Sequence, residues 1–246
     1  MVEVLERIGR FTSSNIWKLT TKDRTGKDFG APALTYIEEK RAERSIGRSV
    51  DLGAVSQSLT WGKIAEYYCD KFHLLGYELI SDQTIVHPKY KFWSGSPDAK
   101  KVQTGVEIKC YEPKKFYLYT HALLKLKEGL ITLDDIKKDF KEEYWQVVSN
   151  SILLNKPKAE LIAYMPTEKQ LIQMREEIET TNVLEKLGIE PWKGRFIIEK
   201  EIYNLPFIPE GIEYPNFVNY EFVVPADDII FLTKCVLDAE KLLSNG

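Results

Sequence analysis

A Pro-Asp pair and a Glu-x-Lys triplet lie close together near the middle of the chain. The pair ends at Asp98, and the triplet follows as Glu107, Ile108 and Lys109. Asp98 and Glu107 carry the hard carboxylate oxygens that Mg²⁺ and Mn²⁺ prefer, and a cation between them can activate water and neutralise a phosphate. Residues two apart on a strand point to the same face, so the Lys109 ammonium can reach the attacking water. This spacing predicts metal-dependent cleavage of a phosphodiester bond.

The surroundings of these motifs decide between this site and a plainer alternative, an exposed aspartate beside a solvated strand face. Asp98 follows a Gly-Ser-Pro turn, the Glu-x-Lys triplet lies within a predicted strand, and a helix that carries Glu66 precedes both. This context favours the site. Ile108 is predicted to point into the core, and its backbone carbonyl is a candidate further metal ligand.

Apolar periodicity predicts the elements that must hold these residues. Helices are expected at about 13–20, capped by Ser13 or Ser14, and at about 32–44, 58–75, 142–154, 167–179 and 226–243, with a further start at Thr132. Strands are expected at 77–86, 91–94, 105–111, 158–165, 195–202 and 219–224. The first three strands are predicted to be antiparallel neighbours, and the order indicates an α/β fold with a mixed central β-sheet flanked by α-helices.

Composition limits the class of protein. The chain has 246 residues, 43% of them hydrophobic and 29% charged, which is typical of one compact domain. The net charge of −3 does not by itself indicate a nucleic-acid binder. The three cysteines lack CxxC spacing, and no His-Glu-x-x-His motif is present, which disfavours a zinc enzyme. Neither a leader in residues 1–10 nor an apolar run of membrane length is visible, so a cytoplasmic protein without a membrane span is expected.

Four motifs in one order resemble those of a known family. They are Trp61-Gly62-x-x-x-Glu66, Gly-Ser-Pro-Asp98, Glu107-Ile-Lys109-Cys and Tyr144-Trp145-Gln146-Val147. Together they resemble the YqaJ-type viral recombinases, the lambda exonuclease branch of the PD-(D/E)XK nucleases. The similarity covers about residues 11–165. It implies one restriction-endonuclease-like nuclease domain over residues 1–246, with a helical insertion around 167–194 that is specific to this chain.

The resemblance also implies roles for individual residues. Asp98 and Glu107 are the main metal ligands, and Glu66 joins the metal shell directly or through water. Lys109 positions and polarises the nucleophile, and Gln146 holds the nucleophile or Lys109. The alternatives are an ordinary helix carboxylate for Glu66 and a polar helix-edge residue for Gln146.

Several residues are candidates for binding DNA. Ser13, Ser14 and Asn15 fall where the family has a Ser-Arg pair at a helix start, which suits a terminal 5′-phosphate. Because Asn15 replaces the arginine, strong 5′-phosphate dependence is not implied, and simple capping by the serines is the alternative. Tyr144 and a set of basic and aromatic side chains are further candidates, and for the basic ones a solvated surface is the alternative: Lys100, Lys101, Lys114, Lys115, Arg41, Arg44, Arg48, Tyr117, Tyr119 and His121.

The resemblance implies a Mg²⁺-dependent exonuclease, with Mn²⁺ as a substitute, that acts on double-stranded DNA ends in the 5′ to 3′ direction. The expected setting is phage or prophage recombination in a bacterial host, with a single-strand annealing recombinase as partner and a homo-oligomer as the working form. One alternative is an endonuclease on the same scaffold. Another is a catalytically silent DNA-binding recombination subunit, although the complete Glu, Asp, Glu and Lys set argues against it, since carboxylates near DNA hinder binding.

Overall fold

The computed structural model describes residues 7–50 and 56–244. The sequence analysis expected no leader in residues 1–10, and residues 1–6 of that segment lie outside these ranges. The α-helices are α1 (Ala31–Ile46), α2 (Gln57–His73), α3 (Pro113–Lys127), α4 (Leu133–Asp139), α5 (Lys141–Leu153), α6 (Glu168–Thr180), α7 (Val183–Lys186), α8 (Pro191–Gly194), α9 (Phe196–Glu199) and α10 (Ala226–Ser244). The 3₁₀ helices are Ser13–Thr20 and Ile202–Asn204.

The described residues form two mixed sheets. The strands are β1 (Phe11–Thr12), β2 (Glu78–Leu79), β3 (Ile85–Val86), β4 (Trp93–Gly95), β5 (Ala99–Lys100), β6 (Thr104–Lys109), β7 (Lys158–Tyr164) and β8 (Phe217–Val223). The larger sheet has the order β2-β5-β6-β7-β8, and the smaller sheet has the order β1-β4-β3. Within the larger sheet only the β6–β7 pair is parallel. The predicted α/β fold with a mixed sheet flanked by helices is confirmed.

The central strands β6 and β7 are buried along nearly their whole length because helices cover both faces of the sheet. On one side α5 packs on β6 and contributes Trp145 and Val148 to the main core. On the other side α2 contributes Trp61, Ile64 and Tyr68 to a second core. The motifs that contain Glu66, Lys109 and Gln146 therefore lie on elements, α2, β6 and α5, that are packed into the core.

Three predictions about elements are wrong. The first three strand segments do not form one antiparallel set: β3 and β4 are antiparallel neighbours in the smaller sheet, whereas β2, β5 and β6 pair in the larger one. The segment 195–202 is helical rather than a strand, since Phe196 and Ile197 pack with Leu171 of α6 in the second core. Ser13 and Ser14 lie inside the 3₁₀ helix, where no side chain caps its start.

The remaining long helices and strands are found at the predicted places. Thr132 begins α4 with a capping box in which the Asp135 carboxylate accepts from the Thr132 backbone N–H at 2.8 Å. Residues 168–186 are mainly helical, but their status as an insertion specific to this chain stays a prediction. No helix in residues 7–50 and 56–244 combines the length and apolar character that a membrane span needs.

Candidate active site

The four motifs converge on one cavity of about 630 Å³. Glu66 reaches it from α2, Asp98 from the turn before β5, Lys109 from the end of β6 and Gln146 from α5. Glu107 lies beside the cavity and is tied to it through Lys109. The structure thus brings together residues from four separate segments of the chain.

Lys109 is held by two acceptors at the centre of this arrangement. Its Nζ donates to Glu107 Oε1 at 2.8 Å and to Gln146 Oε1 at 3.1 Å. Glu107 is almost fully buried, at 1% exposure, so this contact is shielded from water. The Lys109 ammonium is therefore fixed at the cavity wall. The roles of these residues in catalysis stay predictions.

Asp98 is fixed by the neighbouring strand. Its Oδ2 accepts the backbone N–H of Ile108 at 2.7 Å. The Ile108 side chain points into the core, where it packs with Cys69, Val106 and Ile162, as the strand alternation predicts. Its carbonyl stays a predicted metal ligand.

The electrostatics of the site show an excess of negative charge. Burial raises the pKa of Asp98 well above its ordinary value, and the Glu107 and Glu66 carboxylates raise it further. Burial also raises the pKa of Glu66, to about 7, although Lys109 opposes this shift. Burial lowers the pKa of Lys109, but Glu107 and Asp98 outweigh that effect and the net shift is upward. Three carboxylates thus surround the Lys109 ammonium, and the exposed Lys63 is a second cation beside Glu66.

This donor set fits a hard divalent cation, because carboxylate oxygens suit Mg²⁺ and a cation would balance the excess charge. In the described parts of the chain, no three carboxylate, imidazole or thiol side chains are already gathered closely enough to hold a metal ion. Asp98 and Glu107 are instead engaged with protein donors. Binding a cation therefore requires some of these contacts to rearrange, such as the one between Lys109 Nζ and Glu107 Oε1.

The raised pKa of Glu66 predicts a pH-dependent stability difference. The wild type loses stability as pH rises from 4.5 to about 7, because the folded state keeps a proton that the unfolded chain releases. The Glu66→Gln variant lacks this loss. In EDTA at pH 8 it is expected to be more stable than wild type by about 3 kcal/mol, which corresponds to roughly 5–10 °C in Tm. At pH 4.5 the difference should vanish. Melting curves of both proteins at pH 4.5 and pH 8 measure this difference in stability. The same difference at the two pH values would contradict the expectation.

The Ser-Ser-Asn segment reaches the cavity only in part. Ser13 is buried, and its Oγ bonds to Ser149 Oγ at 2.7 Å. Ser14 is exposed and lines both the site cavity and an adjoining one of about 590 Å³, which Asn15 also lines. Arg7 lines both cavities as well and was missed in the sequence, because no local pattern in the sequence indicates that it lines a cavity. An arginine therefore lines the same cavities as Ser14 even though Asn15 is not an arginine.

The prediction that Tyr144 contacts DNA is wrong. Tyr144 is 1% exposed, its hydroxyl donates to Asp228, and its ring stacks on Phe222. It is a core residue. Tyr119 is likewise buried, whereas Tyr117 and His121 stack on each other at the surface with ring centroids 5.7 Å apart.

Most of the predicted basic residues have partners within the protein. Lys115 bonds to Glu143 at 2.9 Å and lies over the Tyr111 ring, and Lys114 is exposed beside it. The other ion pairs are Lys100 with Glu78, Lys101 with Glu160 and Glu221, Arg41 with Glu38, and Arg44 with Glu240. Arg48 is exposed. Lys63 of α2, which the sequence analysis did not single out, is an exposed cation that lines the site cavity.

Comparison with known proteins finds likeness in structure only. No family model and no curated protein matches the sequence. The alkaline exonuclease LHK-Exo from Laribacter hongkongensis, solved in complex with dAMP, is 14% identical with a TM-score of 0.63, over 99% of this chain and 92% of its own. A second structure of that enzyme is 13% identical with a TM-score of 0.59, over 99% and 94%.

A phage-related exonuclease from Haemophilus somnus is 12% identical with a TM-score of 0.57, over 96% of this chain and 94% of its own. Identities this low establish the fold and nothing finer. The four motifs predicted an exonuclease-type fold, and this prediction is confirmed for the fold. The chain has the fold of the alkaline and phage-related exonucleases.

Proposed function

We propose that the protein is a metal-dependent deoxyribonuclease that degrades double-stranded DNA from its ends, in the 5′ to 3′ direction. The observation that carries this proposal is the convergence of Glu66, Asp98, Lys109 and Gln146 on one cavity. The shared exonuclease fold supports it, and so does the dAMP bound to LHK-Exo, because a deoxynucleoside monophosphate is what stepwise hydrolysis of DNA releases.

The residues at the cavity divide the work of hydrolysis. Asp98 and Glu107 would hold Mg²⁺, or Mn²⁺ in its place, with Glu66 directly or through water and with the Ile108 carbonyl. When bound there, the cation would supply a polarised water and neutralise the scissile phosphate. Lys109 orients that water and stabilises the charge that develops on the phosphate, and Gln146 keeps the ammonium in place through its 3.1 Å contact.

The rim of the cavity suits a DNA end. Ser14 offers a hydroxyl and Arg7 a guanidinium to a terminal phosphate, and Lys63 lies on the same cavity beside Glu66. Because Arg7 supplies the cation that Asn15 lacks, we propose that the enzyme prefers 5′-phosphorylated ends. We further propose a role in phage-type recombination in the bacterial cytoplasm, with a single-strand annealing recombinase as partner and a homo-oligomer as the working form.

Linear and circular DNA test this function together. An end-labelled linear duplex, with or without a 5′-phosphate, is incubated with the protein beside a covalently closed circle, in Mg²⁺ or in EDTA. We expect Mg²⁺-dependent loss of the 5′ label, faster loss from the phosphorylated end, and survival of the circle.

The other outcomes each exclude part of the proposal. Cleavage of the circle would identify an endonuclease on the same scaffold. Retention of DNA in a gel shift without any cleavage in Mg²⁺ or Mn²⁺ would identify a silent binding subunit. Equal rates of label loss from phosphorylated and unphosphorylated ends would exclude the 5′-phosphate preference and leave the nuclease assignment intact.

A further inference from the structure

Asn150 is a buried residue whose side chain contacts the site from behind. It lies on α5, one turn after Gln146, and is fully buried. Its Nδ2 donates to Glu107 Oε2 at 2.8 Å, while Glu107 Oε1 accepts from Lys109 at 2.8 Å. Each oxygen of the Glu107 carboxylate therefore has its own donor, and together the two donors fix its plane.

The surrounding chain makes room for Asn150 at some cost. A Cβ atom on Gly95 would lie 2.5 Å from Asn150 Oδ1 and 2.1 Å from Ser13 Oγ, so only glycine fits at this point of β4. Among the residues that the structure describes, no hydrogen-bond donor reaches Asn150 Oδ1, although the atom is buried. An unsatisfied buried oxygen and a poor helix former in a helix interior both destabilise a fold. Packing alone would favour an apolar residue here.

We propose that Asn150 is a positioning residue that sets the orientation of Glu107 for binding the divalent cation. By occupying Oε2, its amide leaves Oε1 facing Lys109 and the cavity wall. This inference rests on the proposed function, since it assigns Asn150 to the metal-binding step of that site. Hydrogen-bond donors to metal-ligating groups commonly tune cation affinity in this way.

Ser149 provides a matched control on the same helix turn. It is also fully buried, and its hydroxyl bonds to Ser13 Oγ and accepts from Trp93 Nε1 at 2.9 Å. Within residues 7–50 and 56–244, the Ser149 hydroxyl bonds to Ser13 and Trp93 and not to the Glu107 carboxylate, so its removal disturbs the buried polar packing without touching the proposed ligand. A purely structural role for Asn150 would make the two substitutions equivalent.

Binding of Mn²⁺ to the full chain, followed by electron paramagnetic resonance, tests the proposal without relying on activity. Asn150→Ala is expected to raise the Mn²⁺ dissociation constant about 10- to 100-fold. It should also raise the Mg²⁺ concentration needed for half-maximal cleavage. Ser149→Ala should leave both quantities unchanged within about twofold. Asn150→Leu, which keeps the number and branching of the side-chain heavy atoms, replaces the alanine variant if circular dichroism shows that the latter does not fold.

The outcomes separate this inference from the proposed function. Wild-type protein that neither binds Mn²⁺ nor cleaves DNA would refute the proposed function and the inference with it. Wild-type protein that does both, with unchanged Mn²⁺ affinity in the folded Asn150 variant, would refute the inference alone. Equal losses in the Asn150 and Ser149 variants would also refute it, because they would reveal a structural role.

Discussion

Replacing Asp98 by asparagine is expected to lower the rate of DNA cleavage about a thousandfold while the protein stays folded. A bound metal ion supplies several kcal/mol of transition-state stabilisation, and about 4 kcal/mol corresponds to three factors of ten in rate. The neutral amide is a poor ligand for Mg²⁺ compared with a carboxylate. It still offers an oxygen to the Ile108 N–H, which Asp98 Oδ2 accepts at 2.7 Å in the wild type.

The stability of this variant should move in the opposite direction to its activity. Because the pKa of Asp98 is raised well above its ordinary value, the folded metal-free protein loses stability as pH rises above that ordinary value, and a side chain that does not titrate avoids this loss. The Asp98→Asn variant should therefore melt at a higher temperature than wild type in EDTA at pH 8. Asp82→Asn, at an exposed position in the turn after β2, is the control and should change neither quantity. Full activity of Asp98→Asn, or a lowered melting temperature, would contradict the assignment.

The Lys109→Met variant is expected to lose turnover by about a hundredfold to a thousandfold without losing affinity for the cation. Removal of one preorganised donor that stabilises transition-state charge has an effect of this size. The thioether keeps the length of the side chain but cannot orient water. Without the ammonium the three carboxylates repel one another more strongly, so Mn²⁺ should bind at least as tightly as in wild type.

Lys109→Met should also destabilise the metal-free protein. Glu107 is 1% exposed and would lose one of its donors, and breaking a buried ion pair costs a few kcal/mol. Added Mg²⁺ should restore much of this loss. The exposed Lys91→Met is the control, since it removes a surface cation without breaking such a pair. If turnover of Lys109→Met stays within a few-fold of wild type at saturating Mg²⁺, the lysine does not assist the chemistry.

The sequence was sufficient where local patterns and local chemistry agree. Trp61, Ile64 and Tyr68 recur at helical spacing, and they form the buried face of α2. Glu107 and Lys109 alternate with Ile108 along β6, so their positions at the cavity followed from strand geometry. Both patterns depend on neighbours within a few residues, which is why they could be read without the fold.

Patterns that depend on distant partners were not readable. The run at 195–202 is too short for apolar periodicity to separate a strand from a helix. It is helical because Phe196 and Ile197 pack in the core beside α6. Tyr144 belongs to a motif but is buried against Phe222, which lies far along the chain. Asn150 gave no signal at all, since an isolated asparagine in a helix resembles a surface residue until Glu107 is placed beside it.

The parallel pairing of β6 with β7 also bears on how the protein matures. Thr104 pairs with Lys158, and α3, α4 and α5 lie between these strands in the chain. Such a distant pairing closes late, because the entropy of ordering the intervening chain must be overcome first. A chain still emerging from the ribosome thus holds Glu107 and Lys109 without the neighbouring strand that completes their sheet. Under the proposed function, hydrolytic competence would arise only after synthesis has passed β7, so an unfinished polypeptide would pose no threat to the DNA of the cell that makes it.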